Sequence, residues 1–476
     1  MSYFYLRVLG IFVSAVHISD FTFNGATLTW GNFYSSTLNR VSLYAALFYQ
    51  SVFARTRIVD SNLDISAFSD VYFYNTQIEN SSFNNCLFKQ VVFEDAMLKN
   101  TSLNISNFEL CKMLDTTVEQ SLMSRNIFKK CVLKRVSFAG TILENTVWED
   151  TSVDSSDFQQ ARIKGWNWKS VNQTTVVKQL GCFRFCNFSE AQMDEMHFEN
   201  LDMTSSVFND TLMAGVTIDG CVLRDSLFIK ANLAKAIISN CQSGKLCSFQ
   251  NANLYDAKIE NCDFQESNLF YTSATYASLI KINLEKSDCT ESSFRDAELI
   301  RVRFPYARLY NATFNNASIE WCVFEHALAD NMQFTYAKCY GSSFRMASMQ
   351  ESNYSGTRFI YCFLFGTGML NSVFYQTYFE FSRIIHADFS HGRFVELKMT
   401  ECGEIKSCDF SACTFELSEF TKIRFVNCIF TQTLFSECTF TNVEFDHCYA
   451  SEQILDNNGF KSISMGYKGE PVFIVT

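Results

Sequence analysis

Large apolar residues recur along this chain at every fifth position. From Phe23 the series runs through Leu28, Phe33, Leu38, Leu43, Phe48 and Phe53 and reaches Trp168 without a slip, giving 30 consecutive matches. It resumes from Phe188 to Ile238 with 11, runs one residue out of phase from Phe249 to Met399 with 31, and after a second one-residue slip runs from Ile405 to Phe445 with 9. The residue two before each is nearly always small, as at Ala26, Ser36, Ala46, Cys86, Cys131 and Ala231. None of these 162 positions carries Asp, Glu, Lys or Arg, although such residues make up 19% of the chain. Both positions therefore face a dry interior, and the other three residues of each five face water. A period of five is neither the 3.6 of a helix nor the 2 of a flat strand. The pattern stays on one side only if the chain turns a corner about every five residues. Short segments that each send two side chains inward then stack into a solenoid, in which every coil buries its floor on the next.

The unit itself resembles the pentapeptide-repeat family, whose repeat runs small, Asp or Asn, Leu or Phe, then two polar residues. Near-ideal copies stand at Ala231-Asn232-Leu233, Ala252-Asn253-Leu254, Cys262-Asp263-Phe264, Ser267-Asn268-Leu269 and Ala387-Asp388-Phe389. The resemblance covers roughly residues 23 to 450 and implies an all-β fold, a right-handed quadrilateral parallel β-helix with four units per coil and about 20 or more coils. Ala274, Cys289, Ala329 and Cys339 depart from it at large positions, which predicts local thinning of the core.

Twenty residues per coil also has support in the residues alone. The column Phe48, Phe68, Phe88, Phe108, Phe128, Trp148, Trp168, Phe188, Phe208, Phe228 steps by 20. Coils about 4.8 Å apart would stack such rings face to face. The lapse between Trp168 and Phe188 spans 20 residues too, with Gln173 and Lys178 at its large positions. It reads as one degenerate coil that keeps the flanking coils aligned, or as a loop. The expected organisation is a cap or first coil at 1–22, repeats at 23–168, an irregular coil or loop at 169–187, and repeats at 188–450. Residues 451–476 would form a cap or a dimerisation tail. The slips near 242–247 and 401–405 each add one residue, which a ladder absorbs as a bulge. Gly244 and Gly403 are available there for unusual backbone angles.

Composition narrows the functional classes. The chain has 476 residues, 49 of them Phe and 2 of them Pro, a balance that excludes a disordered chain. Its net charge of −11 argues against general nucleic-acid binding. No apolar run reaches the 18 or so residues of a membrane span. Sixteen of the 19 cysteines sit in the small-position phase, replacing Ala and Ser as small buried groups. Cys408, Cys428 and Cys448 form one 20-spaced column and Cys111 with Cys131 another. They read as structural thiols, neither disulfides nor zinc ligands, which points to a reducing cytosol; the family resemblance implies a bacterial one, and secretion into a host cell stays open. At the N-terminus Val8, Val13 and Ile18 continue the large phase, so Tyr3 to Val16 reads as an extra coil, with a signal peptide as the alternative.

Candidate chemistry is sparse. There is no Walker loop, dinucleotide fingerprint, HExxH or nucleophile elbow. His386 and His391 fall on adjacent outer faces, as two exposed histidines would. The chain reads as non-enzymatic, with no cofactor and no metal. One basic run, Arg125, Lys129, Lys130, Lys134 and Arg135, offers an anion site. Counting by 20 argues for ion pairs instead, with Lys129 between Glu109 and Glu149, Lys130 beside Asp150, Lys134 beside Asp154 and Arg135 beside Asp115.

Function follows from architecture. The favoured reading is a rigid scaffold that binds a protein partner through its outer faces. The family resemblance supplies two alternatives: a DNA-mimicking inhibitor of DNA gyrase or another DNA-binding protein, which would abolish supercoiling activity, and a secreted bacterial effector. A homodimer through the C-terminal tail is a further expectation. Partner contacts are placed where the register fails, at Trp166, Trp168, Gln173, Lys178, Gly244 and Gly403.

Overall fold

One residue in each five makes the corner that the repeat demands. Among the described residues the one two after each large position has a left-handed backbone, as at Asn85 (φ 56°), Ile105 (φ 59°), Asp115 (φ 50°) and Asn311 (φ 57°). That conformation costs an L-residue roughly 1–2 kcal/mol. Asn and Asp bear it best and β-branched residues worst. Ile105 is exposed at its corner, so Ile105→Asn is expected to raise stability by about 1 kcal/mol. Urea unfolding measures this, and a loss of stability would mean that the isoleucine's surface contacts outweigh the strain.

The structure is a computed structural model that describes residues 7–149, 151–163, 167–169, 181–242, 244–450, 462–465 and 471–475. The chain forms two compact units, Met1–Ile237 and Ile238–Thr476. In the first, strands of three residues pair in parallel with strands 20 residues on: Leu87 with Asn107, Phe88 with Phe108, Lys89 with Glu109. One face is a nine-stranded sheet from Arg7–Leu9 to Asn167–Lys169. Two further faces are six-stranded sheets, from His17–Ser19 to Thr117–Glu119 and from Val52–Ala54 to Ser152–Asp154. Single bridges hold the fourth, from Thr22 with Ser42 to Leu122 with Ile142. Four faces of five residues give the 20-residue coil. The second unit repeats the scheme; Lys258–Asp263 pairs with Ser278–Asn283, and Glu419–Val426 with Thr439–Asp446. The fold is therefore an all-β, parallel β-helix. Antiparallel pairing occurs at its C-terminal end, where Ser462–Met465 pairs with Pro471–Val475. Val475 and Ile474 in turn pair with Val443 and Glu444 of the last coil.

The inward positions pack as the sequence suggests. Phe48, Phe68, Phe88, Phe108 and Phe128 are all buried. Their rings stack at centroid spacings of 4.8, 5.0, 4.6 and 4.7 Å, tilted by no more than 10°. The small positions stitch the coils together. Ser66 Oγ donates to the Leu43 carbonyl at 2.8 Å and accepts from Ala46 N at 3.1 Å. Thr76 Oγ1 donates to the Phe53 carbonyl at 2.6 Å. Thiols take the same place, Cys111 Sγ reaching the Phe88 carbonyl at 3.3 Å. Ser, Thr and Cys thus fit the slot because each is short and supplies a donor to the coil before it.

Two expectations fail. The lapse at 169–187 is not one degenerate coil that keeps its neighbours aligned. Spacing is 20 on either side, Ser137 with Asp157 and Asn187 with Val207, but across the lapse it is 30, Asp157 with Asn187 and Arg162 with Gln192. Phe188 accordingly stacks on Phe158, at 4.8 Å and 8°, and does not continue the column of Trp168. Ten residues are surplus to the coil. Because ten is two repeats, an insertion of that length leaves the five-residue phase untouched while shifting every later column by two faces.

The second failure is Gly244, whose backbone is not left-handed. The extra residue is absorbed between Cys241, whose carbonyl accepts from Asp263 N, and Gly244, whose N donates to the Asp263 carbonyl. Glycine is required by proximity: a Cβ there would lie 2.5 Å from Cδ1 of Phe264. Gly403 does adopt φ +67°. It follows Glu401, at φ 52°, and the register shifts between Thr400 and Gly403, so the second slip is a corner with two left-handed residues.

Candidate interaction surface

On every face most of the described residues before and after the large positions point outward. Parallel pairing at 20-residue spacing lines them up in rows across successive coils, so the sequence at that spacing writes the chemistry of each face. The basic run shows this. Lys129 lies in register with Glu109 and Glu149, and its Nζ is 3.9 Å from the Glu149 carboxylate. Arg135 grips Asp115 with two hydrogen bonds of 2.5 Å and holds that carboxyl below the usual range. Lys134 is in register with Asp154 without a close ion pair. Lys130 and Arg125 sit at left-handed corners; Asp150, the expected partner of Lys130, lies outside the described residues. The five cations are spread over two sheets and their corners, and two of them are engaged by carboxylates.

The positions singled out for partner contact are not brought together. Trp166, Gln173 and Lys178 lie outside the described residues. Trp168 is placed by its backbone alone, paired with Trp148. Gly244 is buried, whereas Gly403 has open space around its Cα. His386 and His391 are both corner residues, the former edge-on to Phe365 at 5.6 Å. Among the described residues no group of three or more His, Cys, Asp or Glu could hold a metal ion. Nor is any helix there long and apolar enough to cross a membrane.

Eighteen cysteines, from Cys86 to Cys448 and leaving Cys182 aside, are free thiols, all but Cys438 buried. Burial pushes Cys86, Cys322 and Cys413 up to about 12. In the column of Cys408, Cys428 and Cys448 each thiol donates to a backbone carbonyl, Cys408 to Lys406 at 3.4 Å, Cys428 to Ile405 at 3.3 Å and Cys448 to Phe425 at 3.4 Å. These groups belong to the core and line no opening.

Sequence reasoning missed a concentration of large apolar residues on the outside of the second unit. Trp321, Tyr340, Tyr361 and Phe381 form a continuous exposed band across successive coils. Trp321 meets Tyr340 edge-on at 5.3 Å, Tyr340 meets Tyr361 at 5.6 Å, and Tyr361 stacks on Phe381 at 5.0 Å. Gly341 makes room for it: a Cβ there would stand 2.5 Å from Cε3 of Trp321. Beside the band, Phe363 and Phe365 project from one coil with Arg345 and Arg383 on the coils either side. The signal was available in the three outward residues of each repeat, had they been read at a spacing of 20.

A family model described as pentapeptide repeats (8 copies) matches residues 247–285 and 277–316. Among solved structures the chain is similar to HetL, a pentapeptide-repeat protein involved in heterocyst differentiation regulation from the cyanobacterium Nostoc sp. strain PCC 7120. The identity is 14%, over 56% of this chain and 91% of that one, with a TM-score of 0.17. It is also similar to QnrB1, a plasmid-mediated fluoroquinolone resistance protein, at 12% identity over 43% of this chain and 89% of that one, with a TM-score of 0.19. No curated protein matches.

Proposed function

We propose that this chain, which belongs to the pentapeptide-repeat family, is a cytosolic scaffold that binds a protein partner through the outer faces of its coils, without catalysis and without a cofactor. One observation carries the reading. The interior is filled by stacked rings, while the outward residues stand in ordered rows, and on the second unit those rows concentrate Trp, Tyr, Phe and Arg at the surface. These residue types dominate the binding energy of protein interfaces. A face of this kind is also cheap to present, because a backbone held by its neighbours on both sides loses little further freedom on binding.

The test is capture from the cytosol of the source cell with the tagged full chain, followed by reconstitution from purified components. The expected result is a single protein that forms a complex of fixed stoichiometry with the chain at physiological salt. Capture of nothing that survives reconstitution would overturn the proposal.

A further inference from the structure

Six outward side chains on one face of the second unit form a grid three coils long and two rows wide. Ser343, Phe363 and Arg383 stand in one row, and Arg345, Phe365 and Ile385 in the other. Between the rows runs a shallow groove of about 320 Å³ lined by these six residues. Its walls on the middle coil are the rings of Phe363 and Phe365, 43% and 40% exposed. The two arginines stand at diagonally opposite corners. Arg345 lies over the Phe365 ring at 5.5 Å, so its guanidinium is held against the groove wall. Among the described residues neither Arg345 nor Arg383 has a carboxylate within ion-pair distance. The nearest acids along the rows are Glu325, one coil before Arg345, and Glu404, one coil after Arg383; Glu404 is already engaged by Arg424 at 3.1 Å. Lys406, in register with Ile385, adds a further positive charge at that end.

Two unneutralised guanidiniums beside exposed aromatic rings are out of character for a chain of net charge −11. We infer that this groove binds a partner segment in extended conformation that carries two carboxylates around an apolar residue. The inference rests on the scaffold reading and adds the place and the chemistry of the contact. Two coils separate the arginines along the solenoid, roughly 10 Å, and two residues separate the rows, roughly 7 Å, so the diagonal is about 12 Å. An extended chain rises about 3.4 Å per residue. Acidic residues four apart share one side of such a chain and therefore reach both guanidiniums, which accept carboxylates in bidentate geometry, while the residue midway between them, on the same side, seats on the two phenylalanines. Burying those rings supplies the apolar part of the affinity, and the diagonal of charge sets the direction in which the segment lies.

The probe is a fluorescein-labelled nonapeptide with two glutamates four apart around a central phenylalanine, titrated by anisotropy into the full chain. Saturable binding is expected, weakened at least tenfold when both glutamates become glutamine or the central phenylalanine becomes serine. The double variant Arg345→Glu with Arg383→Glu is expected to lose the acidic probe and to gain a probe with lysines in place of the glutamates. All altered side chains point outward, and an unchanged melting curve verifies the fold. Equal binding of the acidic and amide probes, or no binding, overturns the inference. So does undiminished binding by the double variant. A cytosolic partner that reconstitutes equally well with wild type and double variant sinks the groove while leaving the scaffold reading intact. No partner at all, with probe binding as expected, sinks the scaffold reading alone.

Discussion

Phe88→Ala is expected to destabilise the first unit by about 3–5 kcal/mol and to do so locally. Phe88 is fully buried, its ring stacked 5.0 Å from Phe68 and 4.6 Å from Phe108, with Phe93 across the core at 5.9 Å. Truncation removes both stacking contacts and leaves a void. The pleated backbone on either side cannot collapse into that void, because hydrogen bonds such as Leu87 N to Ser66 O and Asn107 N to Cys86 O hold it to the adjacent coils. In a solenoid the energy is a sum over neighbouring repeats. The loss should therefore stay within the coils that carry Phe68, Phe88 and Phe108. Phe88→Leu, which keeps much of the volume, should cost less than about 1.5 kcal/mol. Hydrogen exchange mapped by peptide reads this directly. Faster exchange is expected between about residues 65 and 112, with none in Ile238–Thr476. Exchange that rises uniformly along the chain would mean that the unit unfolds as one body and that the column is not a stack of separable contacts.

How much of this was legible in the sequence follows from what period and phase encode. A side chain that must be apolar or small in every repeat leaves a periodic trace, so the core, its Phe columns and the parallel architecture could be read residue by residue. Phase is blind to insertions that are multiples of the period. Ten surplus residues before Phe183 were therefore invisible, and the pairings of Asp157 with Asn187 and Arg162 with Gln192 expose them. The reason for Gly244 was hidden for a different cause. The sequence shows that a glycine stands at a slip, whereas the ring of Phe264 that excludes a Cβ there lies 20 residues away and one coil over. The outward rows were invisible for a third reason. No common rule constrains them, so Phe363, Phe365, Arg345 and Arg383 follow no period, and they become a surface only when the register sets them side by side.

Two ten-residue deletions separate a chain that counts faces from one that counts only repeats. Removing 86–95 and removing 171–180 both preserve the five-residue phase, so a fold that depended on phase alone would treat them alike. Different outcomes are expected. The coil that contains 86–95 has 20 residues, with Val92 paired between Tyr72 and Lys112 and Leu87 between Ala67 and Asn107. Cutting ten moves every later residue two faces round, so the coils close with Leu98 over Phe68 and Phe108 over Ile78. Phe88 and Phe93 are lost, and the column of Phe48 and Phe68 no longer runs on into Phe108, each lost ring pair costing about 0.5–1.5 kcal/mol. The first unit should therefore fold but melt below the wild type. Removing 171–180 instead brings Ser155 and Arg184, and Phe158 and Phe188, from a spacing of 30 to the 20 of every other coil. The spacing of the flanking residues marks ten as surplus to the coil, so that variant should melt with the wild type. Circular dichroism near 218 nm and limited proteolysis distinguish the two. An 86–95 deletion that melts with the wild type would mean that the ring columns add nothing to stability, and an unfolded 171–180 deletion would show that those ten residues complete a coil after all.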